Sequence, residues 1–145
     1  MENRNTNRHH KNLALGTVVA LCGFLTVPVL VGLYPTEAIG VDAAFKVVGK
    51  GKEQRLDTKG FPDDQLKRYK IFAAKCTKCH TLVRPLSAVS TGVTPVTGDP
   101  FDARYVSKYV GKMMRKLNSG IVREDAQEIA RFLIYALKLK DKDAG

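Results

Sequence analysis

Cys76-Thr77-Lys78-Cys79-His80 is the stretch around which the rest of the 145-residue chain has to be read. Two thiols separated by two residues, with a histidine directly after, match the attachment of c-type haem. A turn of that length lets both sulfurs reach the two vinyl groups on one edge of the macrocycle, and it carries the adjacent imidazole beneath the iron as proximal ligand. The expectation is one covalent haem (heme c), with Cys76 and Cys79 as its attachment points and His80 as an iron ligand. Other uses of the motif lack their partners. A tetrahedral zinc site needs further Cys or His ligands, and beyond residue 34 the sequence holds only these two cysteines and one histidine. A thioredoxin-like dithiol would sit beside a βαβ pattern, which is absent. A structural disulfide would leave the neighbouring histidine to chance.

The second axial ligand follows by elimination. His9 and His10 precede a long apolar block and are expected on the far side of a membrane, which leaves methionine. Apart from Met1 the candidates are Met113 and Met114, adjacent on one expected helix. Val106, Val110 and Leu117 define a stripe on that helix, and Met113 lies slightly nearer its centre than Met114. Both remain candidates on this ground, and both could instead be core methionines that leave the iron open.

Hydrophobic spacing places the helices. One is expected to begin near Pro62, with Asp63 and Asp64 at the positive end of its dipole, and to run into Cys76. Leu82 to Pro100 is rich in Pro, Ser, Thr and Gly and reads as loop. A second helix is expected from about Asp102, ending around Asn118-Ser119-Gly120, and a third from about Arg123 to Lys140. On the third, Ala126, Ile129, Ala130, Leu133 and Leu137 recur at spacings of three and four, which predicts one buried face.

Leu13 to Tyr34 contains no charged residue and is long enough, as a helix, to cross a hydrocarbon core about 30 Å thick. Arg4, Arg8 and Lys11 before it place the N-terminus in the cytoplasm by the positive-inside rule. Its length exceeds the usual signal-peptide core, so an uncleaved anchor is expected. Cys22 sits mid-run after bulky Leu21 and reads as an inert membrane residue rather than a lipidation site. The expected organisation is a cytoplasmic tail over 1–12, an anchor over 13–34, a linker over 35–60 and a haem domain over 61–145. The expected fold class is all-α: a single N-terminal transmembrane helix followed by a small helical domain around one covalent haem.

The residues from Phe72-Ala73-Ala74-Lys75 through His80, a later methionine, and a last helix containing Ile129-Ala130-Arg131-Phe132-Leu133 resemble a small class I cytochrome c. The match covers roughly residues 62–140. The resemblance implies that the first and last helices cross tightly with Phe132 in the crossing. Val110-Gly111-Lys112-Met113-Met114-Arg115-Lys116-Leu117-Asn118-Ser119-Gly120-Ile121 is similar to the methionine-bearing stretch of short bacterial mono-haem cytochromes, which implies Met113 as the ligand. The chain departs from the family at Arg68, where a glycine is usual at the crossing. It also has no tryptophan, and Pro85 is nearer the motif than the family's proline that orients the proximal histidine.

Beyond Leu33 there are 21 basic and 13 acidic side chains, an imbalance that suits an acidic protein partner. The basic residues are scattered among acids rather than gathered in a block, which argues against nucleic acid. The expected activity is electron carriage rather than enzyme catalysis. Single electrons would pass between redox protein partners at the outer face of a membrane, within a respiratory or photosynthetic chain, with no small-molecule substrate. A Met/His ligand pair suits the oxidising side of such a chain. The expected localisation is the cell inner membrane, single-pass, with the haem domain on the periplasmic side. The alternative is a haem-based sensor or peroxidase-like enzyme with an exchangeable sixth ligand.

Overall fold

Pro62 has no N–H to leave unpaired at a helix start, and Asp63 and Asp64 follow it where carboxylates meet the positive end of the helix dipole. The computed structural model, which describes Gly40 and residues 42–145, runs this helix, α1, over Asp63–Cys76. A short antiparallel hairpin precedes it: β1 (Val47–Val48) pairs with β2 (Arg55–Leu56), Val47 opposite Leu56. After α1 come α2 (Val83–Thr91), α3 (Ala103–Met114) and α4 (Arg123–Asp143).

α4 is the helix against which the others pack: α1, α3 and α2 all lie on it. Ile129 and Leu133 are buried as the spacing predicts, but so are Phe132, Tyr135, Ala136 and Leu139, because three helices cover more than one face. At the α1–α4 contact the Phe132 ring stands 5.1 Å from Phe72 and 5.3 Å from Tyr69, centroid to centroid. Phe61 adds an edge-on contact to Tyr135 at 5.4 Å. Arg68 does not force the helices apart. Its guanidinium donates to Glu128 of α4 at 3.0 Å and pairs with Asp64 at 3.1 Å, so it bridges the interface at its margin. Phe132 is fully buried, and its replacement by alanine is expected to cost about 3–5 kcal/mol. That is a large part of a typical domain's stability. A denaturant titration should show the midpoint falling with little change of slope.

The stretch expected as a linker over 35–60 packs against the helices from residue 43. Ala43 and Leu56 are buried, the Phe45 N–H donates to Asp143 at 2.8 Å, and the Leu56 N–H donates to the Tyr69 hydroxyl at 3.3 Å. Residues 42–145 belong to one compact unit.

Two expectations are corrected here. The fold class, all-α with one N-terminal transmembrane helix, does not stand. The described residues are mostly helical but carry the β1–β2 hairpin, and none of their helices is long and apolar enough to cross a membrane. The longest, α4, shows why: Arg123, Glu124, Asp125, Glu128 and Arg131 crowd its first half and Lys138, Lys140, Asp141, Lys142 and Asp143 its end, at a prohibitive cost in hydrocarbon. The single-pass inner-membrane localisation is corrected on the same finding. The tail expected at 1–12 and the span at 13–34 lie outside the described residues.

α2 falls inside the stretch expected as loop. Pro85 sits in its first turn, where backbone N–H groups have no helical partner to lose, so the proline is tolerated. Gly92 then ends it at φ 74°, the left-handed conformation in which glycine costs least. α3 is shorter than expected. After Met114 the Ser119 hydroxyl takes the Met114 carbonyl at 3.0 Å, and Asn118 and Gly120 adopt positive φ, which turns the chain away from the helix. Leu117, expected on the buried stripe with Val106 and Val110, is therefore 87% exposed while those two are buried.

Candidate cofactor-binding site

α1 ends at Cys76, so the two cysteines fall on either side of a helix terminus. Cys76 points inward at 7% exposure, and Cys79, in the turn that follows, is exposed. Neither is joined in a disulfide in this structure. Burial, with a smaller contribution from neighbouring Cys79, pushes the Cys76 thiol up to about 12, so it stays protonated at neutral pH.

His80 is half-buried, and its Nδ1 lies 2.9 Å from the Thr81 carbonyl oxygen. A carbonyl can only accept, so Nδ1 is the donor in this contact, and in the neutral ring the lone pair is then on Nε2. This is the tautomer an imidazole needs to ligate a metal through Nε2, with its other nitrogen held by backbone.

Cys76, Cys79, His80 and Met113 all line one cavity of about 870 Å³, a volume within the roughly 300–1,000 Å³ of sites that take cofactor-sized ligands. Met113 projects from the last turn of α3, partly buried against the core. Met114 is 37% exposed and does not line the cavity. The loop after α2 supplies a further wall through Thr94, Pro95, Val96 and Thr97. The walls are mainly apolar. No group of three or more His, Cys, Asp or Glu side chains able to hold a bare metal ion occurs among the described residues.

No family model, curated protein or solved structure matches this chain.

The sequence reading missed several side chains at this site. Tyr105 and Tyr109 line the cavity from α3, two turns and one turn before Met113 respectively. Their spacing was the available signal, since residues 105, 109 and 113 recur every four positions and must share a face. Burial pushes the Tyr109 hydroxyl up to about 12, so it remains a neutral O–H donor. Charged lining residues are all basic: Lys75, Arg84, Lys112, Arg115 and Lys116. Lys75 is engaged by Asp125 at 2.6 Å and by the Gly120 carbonyl at 2.9 Å. The side chains of Arg84, Arg115 and Lys116 make no hydrogen bond or ion pair among the described residues. An apolar cavity with a cationic margin and no carboxylate in its lining suits a large flat ligand that carries negative groups at one edge.

Proposed function

We propose that the chain is a mono-haem c-type cytochrome that carries single electrons between redox proteins. The observation that carries this reading is the convergence of Cys76, Cys79, His80 and Met113 on one cavity of cofactor size, although Met113 lies 33 positions beyond His80 in the sequence. The residues fit the group on chemical grounds as well. Cys76 and Cys79 would each add a thiol S–H across a vinyl double bond, forming a thioether with no atom left over. His80 would ligate iron through Nε2, with Nδ1 already committed to Thr81. Met113 would give a thioether sulfur as the second ligand, and such a pair raises the potential relative to two nitrogen ligands. Haem, when bound, supplies a reversible one-electron couple.

The cationic margin fits the propionate carboxylates of a haem, and Arg115 and Lys116 beside exposed Leu117 offer a surface to an acidic redox partner. The test is an absorption spectrum of the purified full chain. A sharp reduced α-band that carbon monoxide leaves unchanged is the expected result. A band that shifts on adding carbon monoxide favours the sensor or peroxidase-like alternative, and a colourless chain expressed with haem-attachment machinery overturns the proposal.

A further inference from the structure

Met113 sits in the last turn of α3, where helix carbonyls lack internal partners and ends fray. A thioether is a neutral, weak ligand, so a sulfur offered from a fraying turn is easily lost unless something holds that turn. One network reaches it. Lys112 Nζ donates to the Tyr105 hydroxyl at 3.1 Å and stands 3.7 Å from Asp99 Oδ2. The Tyr105 hydroxyl donates to the same Asp99 oxygen at 2.7 Å. The first and last turns of α3 are thus tied to one carboxylate.

Asp99 is itself fixed. Its Oδ2 accepts from the Thr97 hydroxyl at 2.6 Å, its N–H donates to Thr94 Oγ1 at 3.0 Å, and its carbonyl accepts from the Thr94 N–H at 2.9 Å. The Phe101 N–H closes the loop onto the Gly92 carbonyl at 2.7 Å, and the buried Phe101 ring stands 5.1 Å from Tyr109. Hydrogen bonds from Thr97 first and Tyr105 second hold the Asp99 carboxyl below the usual carboxylate range, so it is charged at neutral pH. Residues 94–97 of this loop line the same cavity as Met113.

We infer that Asp99, Tyr105 and Lys112 form a clamp between the 94–99 loop and the end of α3 that keeps the Met113 sulfur in place as the sixth ligand. These are positioning residues: they act through Met113 and through the cavity wall. The inference rests on the haem reading above and deepens it.

The test uses the full-length chain with Asp99→Asn, Tyr105→Phe and, as an exposed control from the same turn of α3, Arg104→Ala. Covalent haem, seen by staining a denaturing gel, is expected to be the same in all. In Asp99→Asn and Tyr105→Phe the weak far-red band of methionine-bound ferric haem should fade. The apparent affinity of ferrous haem for carbon monoxide should rise about tenfold, the scale of losing one charge-assisted hydrogen bond. Arg104→Ala should match the unaltered chain, and Asp99→Glu should recover part of the band. Band and carbon monoxide response unchanged in both clamp variants overturn the inference alone, even if their melting temperatures fall. An unaltered chain without covalent haem overturns the reading beneath it. Should Asp99→Asn fail to fold, Tyr105→Phe decides, since it removes a single oxygen atom.

Discussion

Replacing Cys76 and Cys79 together by serine is expected to abolish haem staining on denaturing gels completely, while either single change leaves one thioether and a stained band. The two thiols are not equivalent in the fold. Cys76 closes α1 and is buried, whereas Cys79 is exposed in the following turn, so Cys76→Ser also places a hydroxyl where an apolar thiol was packed. That variant should be the less stable of the two. The double variant retains His80 and Met113, so a haem can still visit the cavity, but boiling in detergent will strip it. It should also lose helical order at the end of α3, where Tyr109, Lys112 and Met113 line the cavity. The α1–α4 contact has its own aromatic cluster of Tyr69, Phe72 and Phe132 and should persist longest. Stain that survives the double change would sink the haem assignment outright.

What could be read before the structure follows from how much each signal depends on tertiary contact. α1 and α4 are long, amphipathic and charged at their first turns, so local physics names them, and α4 was placed to within a few residues of its end. α2 was hidden because its residues are individually ambiguous. Pro85, Ser87, Ser90 and Thr91 read as loop, and only burial of Leu86, Ala88 and Val89 against the core makes the segment helical. The β1–β2 hairpin has two residues per strand, too few for a period-2 pattern to register. The five-residue motif was legible because its residue types and spacing lie within one short stretch and need no tertiary contact to be read. The basic margin was not: Arg84 comes from α2 and Arg115 and Lys116 from the end of α3, and a charge count over the chain cannot tell a gathered set from a scattered one.

Polar order at the site has a similar origin. Lys75 and Lys112 both border the cavity, yet each is tied to a carboxylate, Asp125 and Asp99 respectively, that stands outside the lining. Hydrogen bonds from Lys75 and from the Val122 N–H hold the Asp125 carboxyl below its usual range, and its placement at the start of α4 adds favourable interaction with the helix dipole. The motif-bearing end of α1 is thereby joined to the start of α4, and the cavity keeps a fixed outline on the side where the cysteines lie. The pairing also leaves Arg84, Arg115 and Lys116 as the cations available to an incoming anion.

Met113→Ala is expected to remove the far-red band of the ferric protein, lower its potential and open the ferrous iron to carbon monoxide, with covalent haem retained. Met114→Ala should do none of these. Helical geometry makes the pair decisive, because neighbours about 100° apart on a helix cannot both direct their side chains at one iron without unwinding the backbone. The structure separates them further: Met113 lines the cavity and packs against the core, whereas Met114 is 37% exposed and engages the turn at Ser119 through its backbone carbonyl, which substitution does not remove. Loss of the Met114 side chain should therefore change stability by no more than about 0.5 kcal/mol, the range of surface substitutions away from special features. A band lost in Met114→Ala and kept in Met113→Ala would mean that α3 is rotated by one residue relative to the cavity. A band kept in both would mean that the sixth ligand is not methionine, and the carrier proposal would lose its main advantage over an exchangeable-ligand sensor.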